Sequence, residues 1–387
     1  MKLAIVSPYI STPTNVDCYQ SQQMNLALEL AKLGLEVDII TGKRSSGDPQ
    51  LSMIGEQIGI YRLPTIGKWL ERFFNQCILI GLWKRLRVGQ YDIVQSSEDC
   101  ALSTLIAGIY SISAGSRLIV YQGVYRYSHR WLITALMMLY DRIAGTILRR
   151  ACSVAVCKTT RAATFLRNKG YAQIRVIPVG VNTSVFHPGE RREPGREFRL
   201  LAVGNLIPLK NYPLVLNAFK QLTLLGCEAR LTIIGSGPEK EKIVEFLSEN
   251  RLMEKVQLLE GVPNARMRDY YVGADLLLLF STTEIFGMVM LEAMACGCPV
   301  IATATPGAAD VIVDCVNSFI VSDDDPGRIA SQIAGILSNR SEWAKVREQA
   351  IRTAHEEHSW SVIAERYHNL YSEGVQTSGE DSVLSKR

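Results

Sequence analysis

The feature that most constrains this chain is an alternation of short apolar runs with helical periodicity, played out twice on either side of a single break. In the first half, apolar runs at 2–6, 37–41, 91–95, 117–121, 153–156 and 175–177 read as strands. A helical pattern at 22–33, with Met24, Ala27, Leu28 and Ala31 on one side and Gly34 as its stop, fills the first gap between them. From 178 to 197 the pattern gives way to Pro, Gly and charge, as an exposed linker does. It then restarts, with strands expected at 200–203, 231–234, 256–259, 276–280 and 300–302 and helices such as 213–225, opened by Pro213 and ended by Gly226. After Pro326 the chain reads as helix to about residue 371, and its last dozen residues as a frayed tail. Such alternation calls for a parallel sheet covered by helices on both faces. Two open α/β domains of this kind leave a cleft, and ligands of open parallel sheets sit beyond the carboxyl ends of the strands.

Charge follows the same division. The 387 residues carry a formal charge of only +4, which as a total speaks against a nucleic-acid partner. Residues 1–175 hold 21 Lys and Arg against 11 Asp and Glu, net +10, so the remaining residues are net −6. The first half is basic and the second acidic. Nine cysteines, an odd count without a Cys-x-x-Cys pair, read as reduced thiols of a cytoplasmic protein. The apolar start, interrupted at Pro8, is too short for a signal peptide. The apolar stretch 131–148 contains Asp141 and Arg142 and reads as a helix of a soluble domain.

Three segments carry candidate chemistry. The first is TEIFGMVMLEAMACGCPVIAT, residues 283–303, in which Glu292 is the only charge after Ile285. A lone carboxylate on an apolar helix must be neutralised or find donors, and ligand hydroxyls would suit it; the alternative is a core helix with one residue reaching solvent. Glu284 falls at a strand end, and Phe286, Gly287 and Met288 lead into the helix, whose free N–H groups bind phosphate without special side chains. The second is VGNLIPLKN, residues 203–211, where Lys210 could neutralise a diphosphate or simply be a solvated loop lysine. The third is Gly235-Ser236-Gly237-Pro238, but the third glycine of a dinucleotide fingerprint would fall at Lys240, which argues against a nicotinamide enzyme. Asp323, Asp324 and Asp325 precede Pro326 and read as a helix cap, not a metal site.

On these residues the chain resembles the retaining glycosyltransferases of family 4, which have the GT-B fold of two Rossmann-like domains facing across a cleft. Glu284 and Glu292 match that family's Glu-x7-Glu motif, the residues around them its LEAMACG pattern, and VGNLIPLKN its phosphate loop. Val176 to Asn182 before the linker, Gly235 to Pro238, and Ser359-Trp360 at the start of the last helix also match, so the resemblance runs nearly the whole length. It implies an acceptor-binding domain at 1–178, a linker at 179–198, a nucleotide-sugar-binding domain at 199–358, a helix at 359–375 crossing back to the first domain, and a tail at 376–387. It implies transfer of a sugar from a nucleotide diphosphate sugar, a UDP-sugar by preference, with retained configuration and with no metal or other cofactor. Glu292 would hold the ribose hydroxyls, Glu284 a sugar hydroxyl and Lys210 the diphosphate. The backbone of Phe286, Gly287, Met288, Val289 and Met290 would donate to sugar and phosphate, Gly235 and Gly237 would line the donor site with Asn205, and Gly261 and Val262 would flank the base.

The chain also departs from the pattern. Asn205 stands where the family has arginine, and the loop after the first strand, SPYISTPTNVDCYQSQQ, lacks the usual glycine pair. Gln122 occupies a strand end where relatives carry histidine, with His129 seven residues on as a substitute; a glutamine can hydrogen-bond a sugar but does not titrate near neutrality. Glu98 and Asp99 are positioned to meet an acceptor hydroxyl or to cap the next helix. The basic first half suits an anionic partner, such as a lipid-linked or glycan acceptor in surface polysaccharide synthesis, or the inner face of the plasma membrane. The segment 67–90, mixing Trp69, Phe73, Phe74 and Trp83 with Lys68, Arg72, Lys84, Arg85 and Arg87, reads as interfacial or as core packing with solvated basic ends. Other activities of the same fold, an epimerase or a phosphorylase, and a nucleotide-sugar-binding protein without catalysis, are the alternatives.

Overall fold

The computed structural model describes residues 1–10, 21–43, 47–66, 76–127, 131–190, 197–321 and 323–373. They form two compact units, one comprising the described residues up to Pro178 and from Trp360 on, the other Val179–Ser359. Lys68, Trp69, Arg72, Phe73, Phe74, His129, residues 191–196 of the expected linker and the expected tail lie outside the described residues.

The first unit contains β1 (Lys2–Ile10), β2 (Glu36–Gly42), β3 (Leu51–Ile54), β4 (Ile58–Leu63), β5 (Thr65–Ile66), β6 (Ile78–Leu79), β7 (Ile93–Ser97), β8 (Arg117–Gln122), β9 (Cys152–Cys157) and β10 (Ile174–Val176). Eight of these form one sheet in the order β10-β9-β8-β7-β1-β2-β4-β3, parallel except for β3 against β4. The β3–β4 hairpin was not anticipated, because Gly55, Glu56 and Gly59 break its apolar pattern. Strand β1 runs on past Val6 to Ile10, and its register shifts across the segment containing Pro8, which has no N–H for the ladder. The chain order reverses between β1 and β7, so the switch point of this sheet lies where Glu98 follows β7.

The helix Trp131–Ala151 differs from its sequence reading. Its buried residues are Ala144, Gly145 and Leu148, and Asp141 also turns inward, to Lys169 (2.9 Å) and Arg149 (3.3 Å). The face it turns outward is the apolar one, with Trp131, Leu136 and Ile143 exposed. It packs on the unit as the expected domain helix does, but with its apolar face turned outward. The chain's last helix, Trp360–Ser372, belongs to this unit. Arg117 donates to the Tyr371 carbonyl (2.6 Å), and the Tyr371 hydroxyl donates to Gln95 Oε1 (2.7 Å).

The second unit has β11 (Phe198–Val203), β12 (Ala229–Ile234), β13 (Val256–Leu259), β14 (Leu276–Leu279), β15 (Val300–Thr303) and β16 (Phe319–Val321), all parallel, in the order β13-β12-β11-β14-β15-β16. Counted within the unit this is 3-2-1-4-5-6, the order of dinucleotide-binding α/β sheets, with its switch point between β11 and β14. The four leucines of β14 are all buried, as a central parallel strand covered on both faces requires. Helices such as Tyr212–Leu224 and Pro326–Ser338 supply Phe219, Leu222, Ile329 and Ile333 to one core with Leu231 and Leu278. Two α/β units of mainly parallel strands are what the expected GT-B fold requires.

Candidate active site

In the second unit the two segments singled out by sequence meet at the switch point. The loop after β11 ends in a short 3-10 turn, Pro208–Lys210, and the loop after β14 leads to Glu284. The Thr282 amide donates to the Leu209 carbonyl (2.9 Å) and ties the two loops together. Lys210 Nζ then donates to Glu284 Oε2 at 2.6 Å, and Ser281 donates to the same oxygen at 3.4 Å. The Lys210 and Glu284 side chains keep 20% and 15% of their exposure, so an incoming ligand can reach both. An anion would compete with Glu284 for the lysine, and a ligand hydroxyl would compete with the lysine for the carboxylate.

Directly after Glu284 the chain turns into the helix Met288–Ala295. Gly287 occupies its N-cap with φ 73°, a conformation that side chains disfavour, and no side chain caps the helix. Met288 and Val289 are half-buried, while the side chains of Phe286 and Met290 are in the core. Any role of those two toward a ligand therefore falls to their backbone. The turn is fixed from behind by Gly307, whose amide donates to the Glu284 carbonyl (3.1 Å) and whose missing Cβ would meet the Phe286 backbone at 2.7 Å.

One turn into this helix, Glu292 is 5% exposed. Tyr271, on the helix Asn264–Gly273, donates to its Oε2 at 2.8 Å. Burial raises the Glu292 pKa to about 7, and the Tyr271 hydrogen bond only partly opposes that. The residue is thus balanced between a neutral acid and a carboxylate with room for further donors. The remaining donor candidates lie nearby in sequence order but do different things. Asn205 is exposed at the end of β11. Gly235 follows β12, where a Cβ would stand 1.9 Å from the Gly204 carbonyl oxygen; Gly237 is similarly held against Leu206. These two glycines let the loops after β11 and β12 lie against each other. Gly261, with φ 65°, and half-buried Val262 follow the edge strand β13.

The first unit rearranges the expected acceptor candidates. Glu98, with φ 65°, is 3% exposed. It accepts from the Gly123 amide (3.1 Å), the Val124 amide (3.4 Å) and the Tyr9 hydroxyl (3.4 Å), and burial raises its pKa to about 7. Asp99 is buried and ion-paired with Lys169, which also holds Asp141. Burial opposes the charge on Lys169, but its two carboxylates more than offset this and raise its pKa. Asp99 is thereby a tie between the end of β7 and two helices instead of an acceptor contact. Nor does either acid cap the helix Leu102–Ala114, whose N-cap is Ala101. Gln122 is also corrected. Its Oε1 accepts from the Asp99 amide (3.0 Å) and its Nε2 donates to the Val124 carbonyl (2.8 Å), so both ends of this 1% exposed side chain are taken up in holding the loop. Exposed Arg126 and Arg161 stack about Tyr125, with ring-centre distances of 5.9 and 5.0 Å, beside the same loop.

Sequence reasoning overlooked Tyr271, Ser281 and Gly307. Tyr271 carries no motif, and only its hydroxyl opposite the lone carboxylate reveals it. Gly307 had a signal in Thr305-Pro306-Gly307, a cap followed by a first-turn proline: Thr305 accepts from the Ala308 amide at 3.3 Å.

Comparison with known proteins agrees with this architecture. The family model for glycosyltransferase family 4 matches residues 22–185, and that for glycosyl transferases group 1 matches residues 186–356. A D-inositol 3-phosphate glycosyltransferase of Catenulispora acidiphila is 29% identical over 221 residues, 53% of this chain and 51% of that protein. One component of the phosphatidylinositol N-acetylglucosaminyltransferase of Arabidopsis thaliana is 24% identical over 240 residues, 60% of this chain and 52% of that protein. The chain thus spans about half the length of the curated relatives it matches. Among solved structures, the Anabaena protein Alr3699/HepE in complex with UDP superposes with a TM-score of 0.72 at 16% identity, over 96% of this chain and all of that one.

Proposed function

Since the chain belongs to the family 4 and group 1 glycosyltransferases and is an enzyme of that type, we propose that it moves a sugar from a UDP-sugar to a hydroxyl of a glycan or glycolipid acceptor with retained configuration. The observation that carries this reading is the Lys210–Glu284 pair, 2.6 Å apart at the switch point beside an uncapped helix N-terminus. A nucleoside diphosphate needs a cation and amide donors for its phosphates, and the donor sugar needs an acceptor for a hydroxyl. The pair and the helix end are those groups, with Glu284 and Glu292 in the roles of the Glu-x7-Glu motif.

As the bond between sugar and diphosphate breaks, negative charge gathers on the β-phosphate. Lys210 and the amides from Phe286 to Met290 are fixed beforehand where that charge develops, and fixed donors lower a barrier because they need not reorganise. No metal is required in this scheme. Release of Lys210 frees Glu284 to accept from the donor sugar. Glu292 accepts from the ribose diol, whose two O–H donors favour its ionised form and hold the nucleoside against the Met288–Ala295 helix. Gly261 and Val262 flank the base, and Asn205 leaves Lys210 as the side-chain cation of its loop. The preference for UDP draws on the UDP-bound neighbour, and a phosphorylated polyol or lipid acceptor on the names of the two relatives and on Arg126 and Arg161. The reading includes a cytoplasmic site of action.

Thermal unfolding in the presence of UDP, GDP, ADP and their sugars tests this, because a ligand bound only by the native state stabilises it. UDP should raise the midpoint most. Lys210→Ala should weaken UDP about tenfold, as the loss of a charged hydrogen bond does, and leave uridine unaffected. Equal loss for UDP and uridine would refute the diphosphate assignment.

A further inference from the structure

Three helices of the first unit pack in succession, Leu82–Gly89 on Leu102–Ala114 and Leu102–Ala114 on Trp131–Ala151. A helix that covers a sheet ordinarily turns its polar face outward. The longest of these does the reverse. Trp131 is 77% exposed, Leu136 61% and Ile143 68%, with Leu132, Met138 and Leu139 all more than half exposed. The stripe continues onto the neighbouring helices with Ile109, Ile112, Val88 and Trp83. Isolated exposed apolar residues are unremarkable, but a stripe over three packed helices marks a surface that something covers.

Charge identifies the occupant. The three helices contain a single acidic residue, Asp141, and it is turned inward to Lys169 and Arg149. Lys84, Arg87, Arg142 and Arg150 are exposed among the apolar side chains. A second copy docking through the same face by two-fold symmetry would bring like charges together. An anionic lipid surface offers the opposite sign and accepts the apolar stripe between its headgroups. Leu102 and Leu136 of this surface also line a cavity of about 310 Å³, whose walls, Gln76 apart, are largely apolar, with Ile78, Met137 and Tyr140. The helix is long and apolar enough to cross a membrane, but its inward ion pairs and buried Ala144, Gly145 and Leu148 hold it against the unit. It can only lie flat.

We propose that the outward face of Trp131–Ala151 and its two neighbouring helices is a docking surface for an anionic lipid bilayer. This adds to part of the segment 67–90, for which sequence leaves an interfacial and a core-packing reading open, a helix that sequence reads only as part of a soluble domain. The inference does not depend on the sugar-transfer reading.

The full chain should co-float with vesicles of phosphatidylglycerol and phosphatidylcholine and much less with phosphatidylcholine alone, and added salt should weaken binding. Leu139→Ser with Ile143→Ser, both exposed and so tolerated by the fold, should reduce vesicle binding at least tenfold. Arg142→Glu with Arg150→Glu should abolish the preference for anionic vesicles. Both double variants should keep the wild-type thermal shift with UDP, which separates loss of docking from loss of the fold or of the donor site. Unchanged flotation of the Leu139/Ile143 variant would overturn the proposal. So would a wild-type dimer, seen by light scattering, that the same substitutions dissociate without any vesicle binding.

Discussion

Replacing Glu292 by Gln keeps the shape of the side chain and its bond to Tyr271 while removing the ionisable proton. Burial carries the Glu292 pKa from the usual 4.5 to about 7. At 1.36 kcal/mol per unit this displacement corresponds to about 3 kcal/mol of preference for the protonated form in the folded protein. A carboxyl whose folded pKa lies above its unfolded one opposes folding progressively as pH rises from about 4.5 through 7, and fully above that. The glutamine variant and the wild type should therefore have matching stability near pH 4.5. By pH 8 the variant should be more stable by about 3 kcal/mol. Urea denaturation across this pH range measures the gap, and hydrogen exchange of the Met288–Ala295 peptides assigns it to the second unit. UDP should reverse the ranking, since the ribose diol donates to a carboxylate better than to an amide: the wild type gains more from UDP at pH 8 than at pH 6, and the variant gains equally at both. A stability gap independent of pH would refute the burial argument, and equal UDP gains in both proteins would refute the diol contact.

Tyr271→Phe removes the hydrogen bond that restrains the Glu292 pKa, so the pH midpoint of UDP binding should move upward, as read by titration calorimetry between pH 6 and 9. Gly235→Ala drives a methyl into the Gly204 carbonyl oxygen 1.9 Å away, and should destabilise the second unit by roughly 3 kcal/mol or more in urea. Lys169→Met leaves Asp99 and Asp141 without their shared cation, at a cost of about 3–5 kcal/mol to the first unit, with UDP binding unchanged in the protein that remains folded. Glu98→Gln should loosen the Gly123–Val124 segment, seen as faster hydrogen exchange there, without altering affinity for UDP.

Periodicity made the central strands and the second unit's helices legible, because strands buried on both faces leave unbroken apolar runs such as the four leucines of β14. It missed β3 and β4, where glycines interrupt the run, and β16, which spans three residues. Lys210, Glu284 and Gly287 were legible because each sits in a local motif at a strand end. Tyr271 was not, since its function depends on the 2.8 Å approach of two helices 21 positions apart in sequence. The partners of Asp99 and Gln122 were not legible for the same reason: a polar residue at a strand end looks alike whether it faces a ligand, a buried lysine or a neighbouring backbone. The outward apolar face of the helix Trp131–Ala151 is not legible from its two adjacent charges, Asp141 and Arg142, because their presence argues only against a spanning helix. A helix places neighbours about 100° apart, so one turns to Lys169 and the other outward among the apolar residues.

Glu98 and Glu292 have the same burial and the same raised pKa, yet their hydrogen bonds separate their roles. A carboxylate has about four acceptor positions. Glu98 fills three from its own unit, with two backbone amides and the Tyr9 hydroxyl, and its backbone is further held in a left-handed conformation at the switch point. A group so satisfied has little to offer a ligand and much to lose by moving, which makes it a positioning residue for the loop carrying Gly123 and Val124. Glu292 receives one side-chain donor, Tyr271, in an otherwise apolar helix. Among the described residues no other side chain donates to it, in a place where desolvation is costly, so donors from outside gain more there than at any exposed carboxylate. Residual acceptor capacity, more than burial or pKa, separates these two carboxylates, and it supports the proposed ligand-binding role of Glu292.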